Sequence, residues 1–500
     1  MNEERWHSPG PAALRTVAML KSVIPHLMDQ HQTPGLNVAL AFGGRLVWEA
    51  GFGWADVAAR RPMTPDTVYR SGSLGKVYTA TAIMILVDRG VISLDDPIND
   101  HLPFQVRNPL GEREILVRDL MVHRSGLGDD AAGSEWGPGL PLGDYLEAQY
   151  ARDTSPMMGG ALPRWLYPVG ASWRYSNLGI ATLGLIVEVA NPDRLGFSEF
   201  VQTEIMDPLG MTLSQYPIAQ HQDHVRADIW AAASTGYSRM GEADVPSFPL
   251  VFGQYPAGGV MARPADHIRL LLAMLKGGAL DGHRLFSEAI ARSMICPATD
   301  LPAGAPGEIW PEAQGLVWML TGVGRPSTSF HHAGGHMFGW RTQGRAWPAH
   351  GAALMVAVNQ WALPDDGDEA QELGEIVNAW LKHHPLTDSR DLSALPAETM
   401  SYARGAIAAA LYHVALGVPG GPPDGSLTRI LADTTDRRGD FDAVAFRKGF
   451  EAVMALPPTL EAVQAFFQSP DCAISLADLA EAAKRLGAQS PGFLTPLLPQ

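Results

Sequence analysis

Apolar residues recur at Leu14, Val17, Leu20, Val23 and Leu27, the spacing of one helix face. The pattern predicts a helix over residues 11–30, kinked or split at Pro25. After Pro34-Gly35 the period changes. Residues 36–42 read as a strand, Gly43-Gly44 as a turn, and residues 46–53 as a returning strand. Residues 77–87 are a long apolar run closed by Gly90, which predicts a buried helix of about four turns. A short helix is expected within 117–127, and an apolar helix over 178–190. Residues 128–170 and 225–256 are rich in Gly, Pro and aromatics and read as loops.

Later, Pro264-Ala265-Asp266 opens a helix whose apolar face runs over 268–275 and which Gly277-Gly278 closes. Residues 315–320, 327–331, 337–347 and 352–359 read as antiparallel strands, with His332 to His336 as a glycine-bearing turn between two of them. Residues 369–383 form an amphipathic helical pattern. From Pro385 the pattern is helical throughout, over 397–418, 426–432, 441–456, 460–467 and 475–486, and carries no chemical motif. The predicted class is α+β: one antiparallel sheet, built from the opening hairpin and the late strands, flanked by helices.

The chain has 500 residues, which suggests more than one unit, and an apolar fraction of 46 % is enough for a substantial core. The formal net charge of −16 argues against nucleic acid or an anionic membrane as partner, since both need basic patches. Cys296 and Cys472 are too few for a disulfide framework or a CxxC metal site. No basic segment followed by an apolar core opens the chain, and the apolar runs are too short to span a bilayer. The expectation is a soluble cytoplasmic protein.

Chemistry is concentrated in three places. Ser73 and Lys76 stand three apart at a predicted helix start, so one turn puts hydroxyl and ammonium on the same face. A serine nucleophile needs such a neighbour, and a helix N-terminus favours an oxyanion. The alternative is a helix cap beside a solvated charge. Against it, this lysine, one of six, lies at an apolar helix start. Tyr175 and Asn177 also sit at a helix start, where Asn is equally a favoured cap. His331, His332 and His336 invite a metal reading. Gly334 and Gly335 between them argue against a helix, and no His-Glu-x-x-His pattern is present, so no metal is expected.

Ser73-Leu74-Gly75-Lys76, Tyr175-Ser176-Asn177 and His332-Ala333-Gly334 resemble, in order and spacing, the three signatures of the serine β-lactamase and penicillin-binding-protein superfamily. They are most similar to its class C branch, which includes family VIII carboxylesterases and D-alanyl-D-alanine carboxypeptidases. Residues 120–127, Leu-Met-Val-His-Arg-Ser-Gly-Leu, and Ala257-Gly258-Gly259-Val260 are similar to further family stretches. The resemblance implies a β-lactamase-like domain over 12–385. Its sheet part is about 12–75 and 290–385, its mostly helical part about 76–289. Residues 386–500 form a helical extension.

By the same resemblance Ser73 is acylated, and Lys76 and Tyr175 manage its proton. Asn177 binds the acyl side of the substrate, with His332 and Gly334 beside it. The N–H groups of Ser73 and Gly335 form the oxyanion hole. Free Tyr and Lys both titrate near pH 10, so a nearby ammonium that favours the phenolate is the physical reason to pair them. Many relatives carry Lys-Thr-Gly where this chain has His332-Ala333-Gly334, which weakens a β-lactamase reading because that lysine helps to hold a substrate carboxylate. The implied function is a serine hydrolase acting through an acyl-enzyme on carboxylic esters or small amides, with no cofactor. Its partner is a small-molecule acyl substrate, and a homo-oligomer is compatible with the sequence. The alternatives are acyl transfer, peptide cyclisation or D-amino-acid peptidase action on the same site, and a catalytically idle ligand-binding or scaffold protein.

Overall fold

A computed structural model describes residues 3–377, apart from 8, 129–139, 158–159, 220–222, 241–242, 248–252, 299–312, 325–327, 337–338, 362–369, 371 and 375. The chain divides into two compact units, Met1–Pro9 with Ala13–Asn378, and Gly10–Ala12 with Ala379–Gln500. Everything below concerns the first. The helices expected beyond residue 385 lie outside the described residues.

The organising layer is an antiparallel sheet. The strands along its main path are β1 (Glu3–Trp6), β2 (Gly35–Phe42), β3 (Arg45–Asp56), β4 (Ala313–Gln314), β5 (Met319–Thr321), β6 (Ser329–His336), β7 (Trp340–Trp347) and β8 (Ala352–Val358), and the two-residue strand Arg61–Pro62 pairs with β3 beside that path. Their spatial order is β1-β3-β2-β8-β7-β6-β5-β4, so the opening hairpin joins the late strands through the β2–β8 pair. The β2 and β8 strands are buried at every position, as expected of central strands covered on both faces.

Helix α1 (Pro11–Gln30) runs unbroken through Pro25, against the expected kink or split. Helix α2 (Lys76–Asp88) is apolar on all sides and buried from Lys76 to Leu86, the condition of a helix enclosed by other elements. It packs with α3 (Val117–Met121), α4 (Leu142–Tyr150) and α5 (Asn177–Ala190) in one hydrophobic cluster that includes Ile83, Leu86, Leu120, Leu146, Leu183 and Ile186. Helix α6 (Pro264–Leu275) covers the sheet over β2, β7 and β8. The fold is an α+β arrangement of one antiparallel sheet with helices packed on it.

Several local expectations change. The stretch 128–170 holds α4 and a hairpin of Thr154–Met157 with Gly160–Pro163. The stretch 225–256 holds a helix, Ala227–Ala232, and the hairpin Tyr237–Met240 with Ala243–Pro246. His332 to His336 are not a turn but the end of β6, paired with β7 from Gly344 to Trp340. The glycines serve close approach instead. A Cβ on Gly334 would lie 1.9 Å from the Ser71 carbonyl oxygen, and one on Gly335 would lie 2.3 Å from the Trp361 ring. Residues 331 and 332 are consecutive in this strand and so face opposite sides of the sheet, which separates them as ligands for one ion.

Candidate active site

Tyr69–Arg70 is a short strand paired with Met261–Ala262, and Ser71 N–H donates to the Val260 carbonyl at 2.9 Å. The chain then turns through Gly72–Gly75, a tight 3₁₀ turn that runs directly into α2. Gly72 has φ +52°, and a Cβ there would meet the Gly335 carbonyl oxygen at 2.5 Å. The turn is therefore pressed between the end of β6 and the Ala257–Val260 stretch. Ser73 emerges from it half-buried, immediately after Gly72, the residue that Gly335 of β6 approaches.

Lys76 is fully buried at the first position of α2. Its Nζ donates to Ser73 Oγ at 3.1 Å, Asn177 Oδ1 at 2.6 Å and the Ala257 carbonyl at 2.8 Å. An ammonium has an N–H donor to offer each of these acceptors. The same nitrogen stands over the Tyr175 ring, 4.8 Å from its centroid, a cation–π distance.

Tyr175 and Asn177 reach this point because α5 begins there. Ser176, not Asn177, caps the helix, its Oγ accepting the Gly179 N–H at 3.1 Å. This corrects the expectation of Asn177 as a cap and leaves its amide oxygen for Lys76. The Tyr175 ring lies 4.7 Å from His123 and 6.5 Å from His332, centroid to centroid.

His332 is 1 % exposed. Its Nδ1 is 2.6 Å from the Ala333 carbonyl oxygen, which can only accept, so Nδ1 carries the proton. Burial pushes its pKa down to about 3, and Lys76 adds to the fall against the pull of the Ala333 carbonyl. The imidazole is therefore neutral at ordinary pH. Burial likewise holds His123 well below the ordinary histidine value, helped by Lys76 and His332.

Of the residues singled out in the sequence, Ser73, Lys76, Tyr175, Asn177, His332, Gly334 and Gly335 all converge here. Sequence reasoning gave no role to the Ala257 carbonyl, to Thr342 or to His123. Thr342 Oγ1 donates to the Ser71 carbonyl at 2.8 Å and so ties β7 to the serine turn. The glycine pair after Ala257 was the available signal for the first, and the Leu-x-x-His stretch for the last. Among the described residues no cluster of three or more His, Cys, Asp or Glu could hold a metal ion, and no helix is long and apolar enough to cross a membrane.

The family model described as beta-lactamase matches residues 20–378. The chain belongs to this family. Among curated relatives, penicillin-binding protein 4* of Bacillus subtilis (strain 168) is 28 % identical over 38 % of this chain and 40 % of its own length. Protein flp of Staphylococcus aureus (strain MRSA252) is 25 % identical over 46 % of this chain and 43 % of its own. The chain thus spans about two fifths of the length of these relatives. Among solved structures, an octameric penicillin-binding protein homologue from Pyrococcus abyssi superposes with a TM-score of 0.59 at 22 % identity, over 78 % of this chain and 81 % of that one. A class C beta-lactamase from Rhodobacter sphaeroides gives 0.53 at 20 % identity, over 73 % and 97 %. These structural likenesses concern the fold. The family is one of β-lactamase and penicillin-binding-protein-like serine hydrolases.

Proposed function

We propose that this β-lactamase-family protein hydrolyses carboxylic esters or small amides through an acyl-enzyme on Ser73. The observation that carries the reading is the 3.1 Å contact between Lys76 Nζ and Ser73 Oγ, made by a buried ammonium that Asn177 and Ala257 also hold. Ser73 Oγ attacks the acyl carbon and gives up its proton to the phenol oxygen of Tyr175, whose deprotonated form the Lys76 ammonium favours. The carbonyl oxygen becomes an oxyanion held by the Ser73 and Gly335 N–H groups, each worth about 3 kcal/mol in comparable sites. The leaving alcohol or amine takes the proton, and water then attacks the acyl-enzyme to release the acid and free Ser73.

Neutral His332 favours substrates without a carboxylate beside the reacting carbonyl, because no charge at that position compensates one. The proposed domain is 12–385, with 386–500 as a separate extension. The family match over 20–378 and the boundary of the first compact unit at Asn378 support it.

The test is intact-mass detection of a fluorophosphonate adduct, with turnover of a p-nitrophenyl ester in parallel. The expected adduct maps to Ser73, and Ser73→Ala removes both adduct and turnover while the fold is retained. Turnover surviving in Ser73→Ala would place the nucleophile elsewhere. A folded wild type that neither forms an adduct nor turns over esters would favour a non-catalytic binding protein.

A further inference from the structure

We infer that His123 is the positioning residue of Tyr175, holding the chain on both sides of it and its ring on one face. The inference rests on the proposed role of Tyr175 in moving the Ser73 proton. Three contacts converge on it. The His123 carbonyl accepts the Arg174 N–H at 2.8 Å. His123 Nδ1 accepts the Ser176 N–H at 3.3 Å. The imidazole lies against the Tyr175 ring at 4.7 Å with the planes inclined by 36°. Arg174 and Ser176 are the immediate neighbours of Tyr175, so one residue fixes the backbone before and after it.

The loop that makes this grip is itself pinned. The Met121 carbonyl takes the Val317 N–H at 2.9 Å, and Asn108 Nδ2 donates to the carbonyls of Ser125 at 3.2 Å and Tyr167 at 2.7 Å. Trp173 meets the imidazole at 5.8 Å in a nearly perpendicular arrangement. His123 adopts φ +57°, a left-handed backbone that non-glycine residues seldom take, Asn, Asp and His being the usual exceptions. Strained backbone of this kind persists where surrounding contacts over-determine it, as they do here.

The chemistry of the grip is specific. A backbone N–H only donates, so Nδ1 must present a lone pair and the proton sits on Nε2, which has no partner among the described residues. An imidazolium would set two donors against each other. A replacement therefore needs an acceptor at the Nδ1 place and tolerance of positive φ. Asparagine offers both, since its Oδ1 falls where Nδ1 does. Glutamine is nearer to histidine in volume, but its polar atoms fall one bond further out.

The experiment compares wild type, His123→Asn and His123→Gln in p-nitrophenyl ester turnover and in the rate of fluorophosphonate labelling at Ser73. Thermal melting serves as the fold check. A positioning role predicts that Gln lowers kcat by roughly ten- to a hundredfold with KM little changed, and that Asn recovers much of the loss. A space-filling role predicts the reverse order, with Gln the better substitute. Equal activity of the folded variants, Gln exceeding Asn, or a loss confined to KM would each overturn the inference. Should neither variant fold, wild-type-like labelling by His123→Gly, which relieves φ but removes the acceptor, would overturn it, and slowed labelling would support it. A wild type that takes no label at all sinks the hydrolase reading itself, which is a separate result.

Discussion

Lys76 Nζ lies closer to Asn177 Oδ1, at 2.6 Å, than to Ser73 Oγ, at 3.1 Å. The amide oxygen of α5 is therefore the anchor that sets where the ammonium of α2 stands. Asn177→Leu keeps similar volume and removes the acceptor. Losing one acceptor of a buried ammonium is expected to destabilise the fold by about 1.5–3 kcal/mol, in the range of hydrogen bonds to charged groups. Acylation should slow as well, because the ammonium is freed to drift from Ser73. Urea denaturation and the fluorophosphonate labelling rate measure the two effects. An unchanged labelling rate would show that Asn177 does not place Lys76.

Tyr175→Phe separates the ring from the hydroxyl. The ring packs under Lys76 and against His123, and phenylalanine keeps both contacts. Stability should therefore change by less than about 1 kcal/mol, while loss of the phenol should slow ester turnover by roughly 10²–10⁴-fold, the usual worth of a positioned acid or base. A stable Tyr175→Phe with full turnover would leave Tyr175 only a packing role.

Much of this site was legible in the sequence because its spacing is local. Ser73 and Lys76 share one turn, and Tyr175 and Asn177 flank one cap, so helix geometry alone brings each pair together. The apolar run of α2 and the late antiparallel strands with their short connections were equally readable. What was not readable depends on contacts across the fold. The glycines at 334 and 335 resemble turn residues until the Ser71 carbonyl and the Trp361 ring are seen against them. Pro25 suggests a break, yet α1 keeps its course through it. The edge strand Glu3–Trp6 is defined by its pairing with β3, which no local pattern announces.

Gly334→Ala tests the close approach directly. Its Cβ would fall 1.9 Å from Ser71 O, 2.6 Å from Thr342 Oγ1 and 2.7 Å from Leu74 N. Two of these are backbone atoms of the serine turn, which cannot rotate away. Overpacking typically costs about 1–3 kcal/mol, and here it also pushes β6 from Ser73. A lowered melting temperature and loss of labelling are expected together. Gly111→Ala is the control, since its Cβ would meet only Pro168 Cβ, at 3.6 Å. Normal labelling in Gly334→Ala would mean that β6 and the serine turn are further apart than these distances.

The buried histidines give the fold an acid sensitivity with a calculable sign. Burial pushes His267 and His332 down to about 3 from an ordinary 6.5, with His332 adding to the first effect and Lys76 to the second. His123 and His331 are also held well below 6.5, chiefly by burial. Between about pH 3 and 6.5 the unfolded chain binds protons that these folded histidines refuse, so ν_U exceeds ν_N and stability rises with pH across that window. Their contribution is whole above 6.5 and is lost as pH falls, at a slope approaching about 1.4 kcal/mol per pH unit for each histidine. The lowered carboxylates, such as Asp66 beside Arg5 and Arg263, act in a lower window, below their ordinary 3.8. Urea denaturation at neutral pH and at about pH 5 should therefore show a marked loss before carboxylates contribute. His332→Gln, which does not titrate, should reduce that slope by close to one proton. Stability that stays flat from neutral pH to about 5 would mean that these imidazoles are protonated in the folded protein, and the neutral His332 on which the substrate preference rests would fall with it.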